Sequence, residues 1–269
     1  MKIYAKTRAN GEYHSHNIAH AVMGFLELGA EIIKYQLIDD IYNEVTKEDI
    51  VLDYIDQCLT IFDKFGIRPH LDDYPEVLKQ FLGRPIWKDT INSINNNPNK
   101  WGIFVKPTKE KAFTGKVINN PRDLIGCGSC YENYEVYCSP ILDIKREWRG
   151  FVYYDELIDL RPYNGHWCWT SYLDNMVIQK VMNTFKSWKD RPVACSLDFA
   201  VIEEHKFYNN LGEEVAYETD DERVEYKTIL LEANDAYALG NYGLHHVVYA
   251  KLISARWSQL LSRPDEFNF

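Results

Sequence analysis

The sequence has no apolar run long enough to cross a bilayer: its longest such stretch, Ala19 to Ala30, is broken by His20 and Glu27. It also has no signal-like segment at its start. Together with six scattered cysteines (Cys58, Cys127, Cys130, Cys138, Cys168 and Cys195) in 269 residues, this predicts reduced thiols and a soluble, cytoplasmic protein with no membrane partner. Cys127-Gly128-Ser129-Cys130 has CxxC spacing, but no second pair follows to complete a zinc site, so a structural or incidental role is expected. The phosphate loop GxxxxGK followed by Ser or Thr is missing, as are a GxGxxG after a strand and an HExxH. Without the last, His14, His16 and His20 read as substrate contacts or surface residues rather than zinc ligands. No internal repeat or low-complexity tract is present, which excludes a solenoid. Basic charge is in deficit, with 30 Lys and Arg against 40 Asp and Glu and a net charge of −10. That balance argues against broad electrostatic binding to nucleic acid or anionic lipid.

What is present is the composition of a globular chain, 46% hydrophobic, 26% charged and 14% aromatic, long enough for one large or two modest domains. The pattern predicts a strand at 2–6, a helix at 17–28 with Ile18, Ala21, Val22, Phe25 and Leu28 in step, and a strand at 31–37. A helix is expected over 50–65, ended by Gly66, and another over 86–95, broken by the Asn-rich stretch before Pro98. Strands follow at 101–106, 115–118, 134–138 and 148–154, helices at 176–188 and 247–261, and two apolar strands at 196–202 and 228–234.

The last two strands carry the chemistry. Side chains alternate along a strand, so Glu232 and Asn234 project to one face, and Asp198 joins them if the strands pair. Three hard oxygen donors suit Mg²⁺, which takes its remaining ligands from water and phosphate oxygens. The bland alternative is a set of polar positions on a half-exposed sheet. Lys106 closes the strand that begins at Trp101, where an ammonium either meets a nucleotide or snorkels to solvent. The lysine-rich loop 109–116, with Phe113-Thr114-Gly115-Lys116, offers backbone amides beside cations, although such loops are commonly solvated turns. Arg149 lies inside a strand and Arg161 on the next. The two either hold anionic oxygens or serve as structural ion pairs.

Taken in order, Phe104-Val105-Lys106-Pro107, Phe113-Thr114-Gly115-Lys116, Glu147-Trp148-Arg149-Gly150-Phe151-Val152, Leu197-Asp198-Phe199 and Leu231-Glu232-Ala233-Asn234 resemble the ATP-grasp fold. More narrowly the series is similar to the R2K clade, named for two arginines and a lysine. The resemblance implies an α/β (α+β) fold in which two subdomains grip ATP: a small N-terminal α/β domain at 1–84, then 85–269, divided into a lid at 85–138 and a metal-binding part at 139–269. It implies that Lys106 contacts the α-phosphate and adenine side of ATP, and that Phe113, Thr114, Gly115 and Lys116 close over the β- and γ-phosphates. Tyr137, Cys138 and Ser139 would meet adenine, Asp143 or Glu147 the ribose, and Asp198, Glu232 and Asn234 two Mg²⁺ ions. Arg149 and Arg161 match the clade's arginines. The implied activity is an ATP-dependent carboxylate-amine ligase acting through an acylphosphate on small-molecule or peptide substrates, with a phosphotransferase or a non-catalytic nucleotide-binding module as alternatives. In one departure, Ser196 stands where D-alanine ligases place an arginine two residues before the metal-binding aspartate.

Overall fold

The computed structural model describes residues 1–109, 112–128 and 132–268. Ser129 and Cys130 of the CxxC stretch, and Glu110 and Lys111 of the lysine-rich loop, lie outside the described residues. The chain runs β1 (Lys2–Lys6), α1 (His16–Glu27), β2 (Glu31–Tyr35), α2 (Ile38–Ile41), β3 (Ile50–Leu52) and α3 (Ile55–Lys64). Next come β4 (Trp87–Thr90), α4 (Ile91–Asn95), β5 (Ile103–Pro107), β6 (Lys116–Ile118), β7 (Glu135–Pro140), β8 (Asp143–Tyr153) and β9 (Glu156–Gly165). The order closes with α5 (Asn175–Ser187), β10 (Ala194–Tyr208), β11 (Glu214–Val215), β12 (Asp221–Asp235) and α6 (His246–Leu260). No helix among the described residues is long and apolar enough to cross a membrane.

The chain divides into two compact units, of which the first comprises residues 1–81, 145–201 and 228–269. Here β1 is the middle strand of a parallel sheet ordered β2-β1-β3. Parallel neighbours need crossover connections, and α1 supplies the one between β1 and β2. Ser15 caps α1 by accepting a hydrogen bond from the Ile18 amide. Its buried stripe of Ile18, Ala21, Val22 and Phe25 shares a core with Tyr249, Ala250 and Ile253 of α6. Gly24 makes that close approach possible, because a Cβ there would collide with the carbonyl of His246. Deeper in this core, the rings of Phe62 and Trp257 pack at a tilt with centroids 4.3 Å apart.

Two expected helices begin later than their periodicity suggests. Ile50–Leu52 is buried and pairs with β1 as a third strand, so α3 starts only at Ile55. Asp53 marks the break: its carboxylate accepts hydrogen bonds from Lys6, Tyr35 and the Tyr54 amide. Likewise Trp87–Thr90 pairs antiparallel with β7, and α4 starts at Ile91 with Thr90 as its cap. In both places a short strand runs directly into a helix, and periodicity alone does not show the join.

The first unit also holds α5 and the inner part of the larger sheet. β8 and β9 form a hairpin whose two-residue connection, Tyr154 and Asp155, has positive φ at both positions (43° and 72°). This is the turn geometry whose twist matches paired strands. β10 lies between β8 and β12, and from Ala194 to Ile202 it is buried throughout. Gly150 lets β8 lie close to β10, since a Cβ there would sit 2.9 Å from the Leu197 carbonyl oxygen and 3.1 Å from the Phe199 ring.

The second unit comprises residues 82–144 and 202–227. Its antiparallel sheet is ordered β4-β7-β5-β6 over a core of Ile91, Ile94, Val105, Ile118, Leu124, Cys127, Val136 and Cys138. The outer parts of β10 and β12, with β11, make a charged hairpin laced by Lys206–Glu225 (2.9 Å) and Lys227–Glu204 (3.4 Å).

Candidate active site

Within the first unit, adjacent strands bring Asp198, Glu232 and Asn234 into mutual contact. The Asn234 amide donates to Asp198 Oδ2 at 3.3 Å and to Glu232 Oε1 at 3.2 Å. Asp198 is 1% exposed, and a carboxylate so far from water requires charge or hydrogen-bond compensation. Arg149 provides most of it from β8, with Nε donating to Oδ1 at 2.9 Å and Nη2 to Oδ2 at 2.6 Å. This bidentate fork combines charge with fixed geometry. Burial works against the charge on Arg149, yet the Asp198 carboxylate outweighs it and holds the guanidinium pKa above its ordinary value. For Asp198, burial pushes the carboxyl up, with Arg149 pulling down and Glu232 adding to the rise.

Ser196 is fully buried and donates to Asp198 Oδ1 at 3.3 Å. The charged partner of Asp198 comes instead from the neighbouring strand, where Arg149 reaches across to it. A single sequence does not display this pairing, because it depends on the cross-strand register.

Two aromatic rings face the guanidinium of Arg149: Tyr242 at 4.6 Å and Tyr163 at 5.9 Å. Tyr163 donates to Glu147 at 2.9 Å, and Asn164 donates to the other oxygen of that carboxylate. Burial and the charges of Asp198 and Glu147 raise the Tyr163 phenol far above its ordinary pKa, so it remains a neutral donor. Neither tyrosine was flagged by the sequence; both lie in stretches without a motif. Arg161 is the register partner of Arg149 across β8 and β9, and therefore on the same face, where it pairs with Asp159 at 2.7 Å.

The remaining candidates fall in the second unit, except Glu147. Lys106 pairs in register with Tyr137, and Phe104 with Ser139, placing all four side chains on the sheet face opposite Val105. Gly115 belongs to this face too: a Cβ on it would sit 2.6 Å from the tip of the Phe104 ring. Phe113 packs against the second unit's core, Thr114 is exposed and Lys116 is half-buried. Cys138 points the other way, into the core, where burial pushes its thiol up to about 12. Ser139 is buried. The ligand atoms of Asp143, Glu203 and His205 lie within 4.8 Å of one another, and His205 is paired to Glu203 and Glu222, as in the rest of this charged hairpin.

The three N-terminal histidines are engaged by protein groups. His14 bonds Tyr54 at 3.0 Å, His20 donates to the Leu244 carbonyl at 2.7 Å, and the rings of His16 and His20 are 5.7 Å apart.

The donor set at Asp198, Glu232 and Asn234 is two carboxylates and an amide, all hard oxygen ligands of the kind Mg²⁺ takes, so the residues fit that ion. A model of the ATP-grasp domain, R2K clade family 2, matches residues 81–252. Comparison with curated proteins gave no match. Among solved structures, the chain is similar to a D-alanine–D-alanine ligase from Bacillus anthracis, with a TM-score of 0.51, 9% identity and coverage of 97% of this chain and 98% of that one. It is similar to an N5-carboxyaminoimidazole synthetase from Staphylococcus aureus, with a TM-score of 0.51, 12% identity and coverage of 99% and 78%. An N5-carboxyaminoimidazole synthase from Aspergillus clavatus, solved with ADP and 5-aminoimidazole ribonucleotide, gives a TM-score of 0.50, 9% identity and coverage of 98% and 77%. Identities this low speak to fold, and the fold is the one those structures share.

Proposed function

Because the chain belongs to the R2K clade of ATP-grasp proteins, we propose that it is an ATP-dependent ligase that joins a carboxylate to an amine and releases ADP and phosphate. The observation that carries this reading is the sheet face on which buried Arg149 and Asp198 meet half-buried Glu232 and Asn234. A substrate carboxylate oxygen attacks the γ-phosphorus of ATP, the bond to the bridging oxygen breaks, and ADP leaves. The amine nitrogen then attacks the acyl carbon, the acyl C–O bond breaks, phosphate leaves, and the nitrogen loses a proton.

Such transfers depend on positioning and charge neutralisation more than on covalent help from the protein. Asp198, Glu232 and Asn234 are the residues that would hold Mg²⁺. When bound, that ion offsets phosphate charge and fixes the phosphoryl group for in-line attack. Lys106, Phe113, Thr114, Gly115 and Lys116 take the phosphates, Tyr137, Cys138 and Ser139 the adenine through backbone groups, and Asp143 or Glu147 the ribose. Arg149 and Arg161 stabilise oxyanions as they form. The substrates are small-molecule or peptide carboxylates and amines.

The test is oxygen bookkeeping. With a carboxylate substrate labelled with ¹⁸O, ligation through an acylphosphate transfers one label to the released phosphate, whereas a kinase leaves a phosphorylated product and no free phosphate. We expect labelled phosphate only when ATP, Mg²⁺, carboxylate and amine are all present. Asp198→Asn and Glu232→Gln should each lower turnover by about 100-fold or more, in line with the loss of a preorganised charge at a transition state. Full turnover by either variant would sink the metal assignment.

A further inference from the structure

The Asp198 carboxylate has four lone-pair directions, and each one has a donor. Oδ1 accepts from Arg149 Nε at 2.9 Å and Ser196 Oγ at 3.3 Å; Oδ2 accepts from Arg149 Nη2 at 2.6 Å and Asn234 Nδ2 at 3.3 Å. A divalent cation can bind this carboxylate only by displacing a donor. Ser196 is neutral, and Asn234, also neutral, gives up its donation in any case when it turns its amide oxygen to a cation, whereas Arg149 carries a charge that a cation on the same oxygens repels. Arg149 is therefore the group whose bonding a metal ion must change most.

The surroundings of Arg149 provide a second seat. The Tyr242 ring lies 4.6 Å from the guanidinium and the Tyr163 ring 5.9 Å, with the two rings 5.0 Å apart. An aromatic face attracts an uncompensated cation more than one already neutralised by a carboxylate. Tyr242 is also held at unusual effort: its φ is +42°, which L residues disfavour, and Gly243 follows at +81°. The preceding Asn241 is 3% exposed and is moored to Asn17 of α1 by two hydrogen bonds, at 3.2 and 2.8 Å. By contrast, a second buried fork, Arg256 on Asp235, has a further acceptor in Gln259 at 2.6 Å and serves to tie β12 to α6.

We propose that Tyr242 is a positioning residue that retains the Arg149 guanidinium when a divalent cation displaces it from Asp198, so that cation loading converts a neutralised ion pair into an arginine available to substrate oxygens. This inference rests on the assignment of Asp198 and Glu232 to metal binding. It predicts that metal and Arg149 are competitors for one carboxylate, and that the ring of Tyr242, not its hydroxyl, is what matters.

The experiment uses the full chain with Mn²⁺ as the calorimetric probe. Arg149→Met should bind Mn²⁺ about tenfold more tightly than wild type, an ordinary size for coupling between two occupants of one site. Tyr242→Ala should bind about threefold or more weakly, while Tyr242→Phe stays near wild type, as expected for a cation–π contact. Should Arg149→Met fail to fold, ¹⁵N-arginine spectra of the wild-type protein decide the matter: the Nε–H resonance of Arg149, assigned by its loss in Arg149→Lys, should move when Mg²⁺ is added. An unmoved resonance, or Mn²⁺ affinity unchanged or weakened in a folded Arg149→Met, overturns the exchange. Unchanged affinity in Tyr242→Ala overturns the role of Tyr242. Mn²⁺ binding that survives in both Asp198→Asn and Glu232→Gln overturns the metal-centre reading itself.

Discussion

Gly150 sits between Arg149 and Phe151, and its missing side chain is what allows β8 and β10 to lie in contact. The obstruction on one side is the Leu197 backbone carbonyl, which cannot rotate away as a leucine tip can. Gly150→Ala should cost about 1 to 3 kcal/mol through overpacking, measured as a lower urea midpoint with an unchanged slope. Because the same displacement stretches the fork between Arg149 and Asp198, activity should fall as well. A variant with wild-type stability would show that the strands can separate without penalty. At this scale the sequence is informative about donors and silent about partners. Asp198, Glu232 and Asn234 stand out because each interrupts an apolar strand. That Arg149 answers Asp198, and that Tyr242 covers Arg149, depends on register and on a loop returning to the sheet, neither of which any local pattern encodes.

Among the elements, the β8–β9 hairpin depends on its turn. Tyr154 and Asp155 occupy positive-φ positions usually given to Asn and Gly, and Asp155 is tied to Arg191 through both its oxygens. The Arg191 hydrogen bond holds the Asp155 carboxyl below its ordinary value, with burial opposing. A carboxyl depressed in the folded state contributes stability that is complete above its unfolded pKa, about 3.9, and is lost as pH falls through the folded value. Asp155→Asn should therefore destabilise the protein by about 0.5 kcal/mol at pH 7, a modest figure because solvent screens a pair this exposed. That difference should vanish when urea unfolding is repeated well below pH 4, and a penalty that persists there would exclude the ion pair as its source. Elements whose cues were local, such as α1 behind its Ser15 cap, were legible from sequence, whereas β3 and β4 were absorbed into the helices that follow them. Their strand character comes from partners far along the chain, β1 and β7.

For the whole molecule, ligand linkage offers a test that needs no knowledge of the ligated substrates. A nucleotide that binds the folded chain stabilises it by about 2.7 kcal/mol at 100 times its Kd. In a protein of this size that raises Tm by roughly 5 to 10 °C. ATP with Mg²⁺ should produce such a shift, and Glu232→Gln should lose the part that depends on Mg²⁺. An identical shift with and without the ion would detach nucleotide binding from the acidic face.

The same view of the molecule bears on where it can be cut. The family match spans residues 81–252, yet α6 continues to Leu260 and packs with α1, close against it at Gly24, while Asn17 secures the loop that carries Tyr242. A fragment trimmed to 81–252 would bare Tyr249, Ala250 and Leu252 to water. It should bind the dye ANS and sediment as aggregates, where the full chain stays dispersed; a monomeric, cooperatively melting fragment would refute this. The stretch by which kinship is recognised is shorter than the stretch that shares one core.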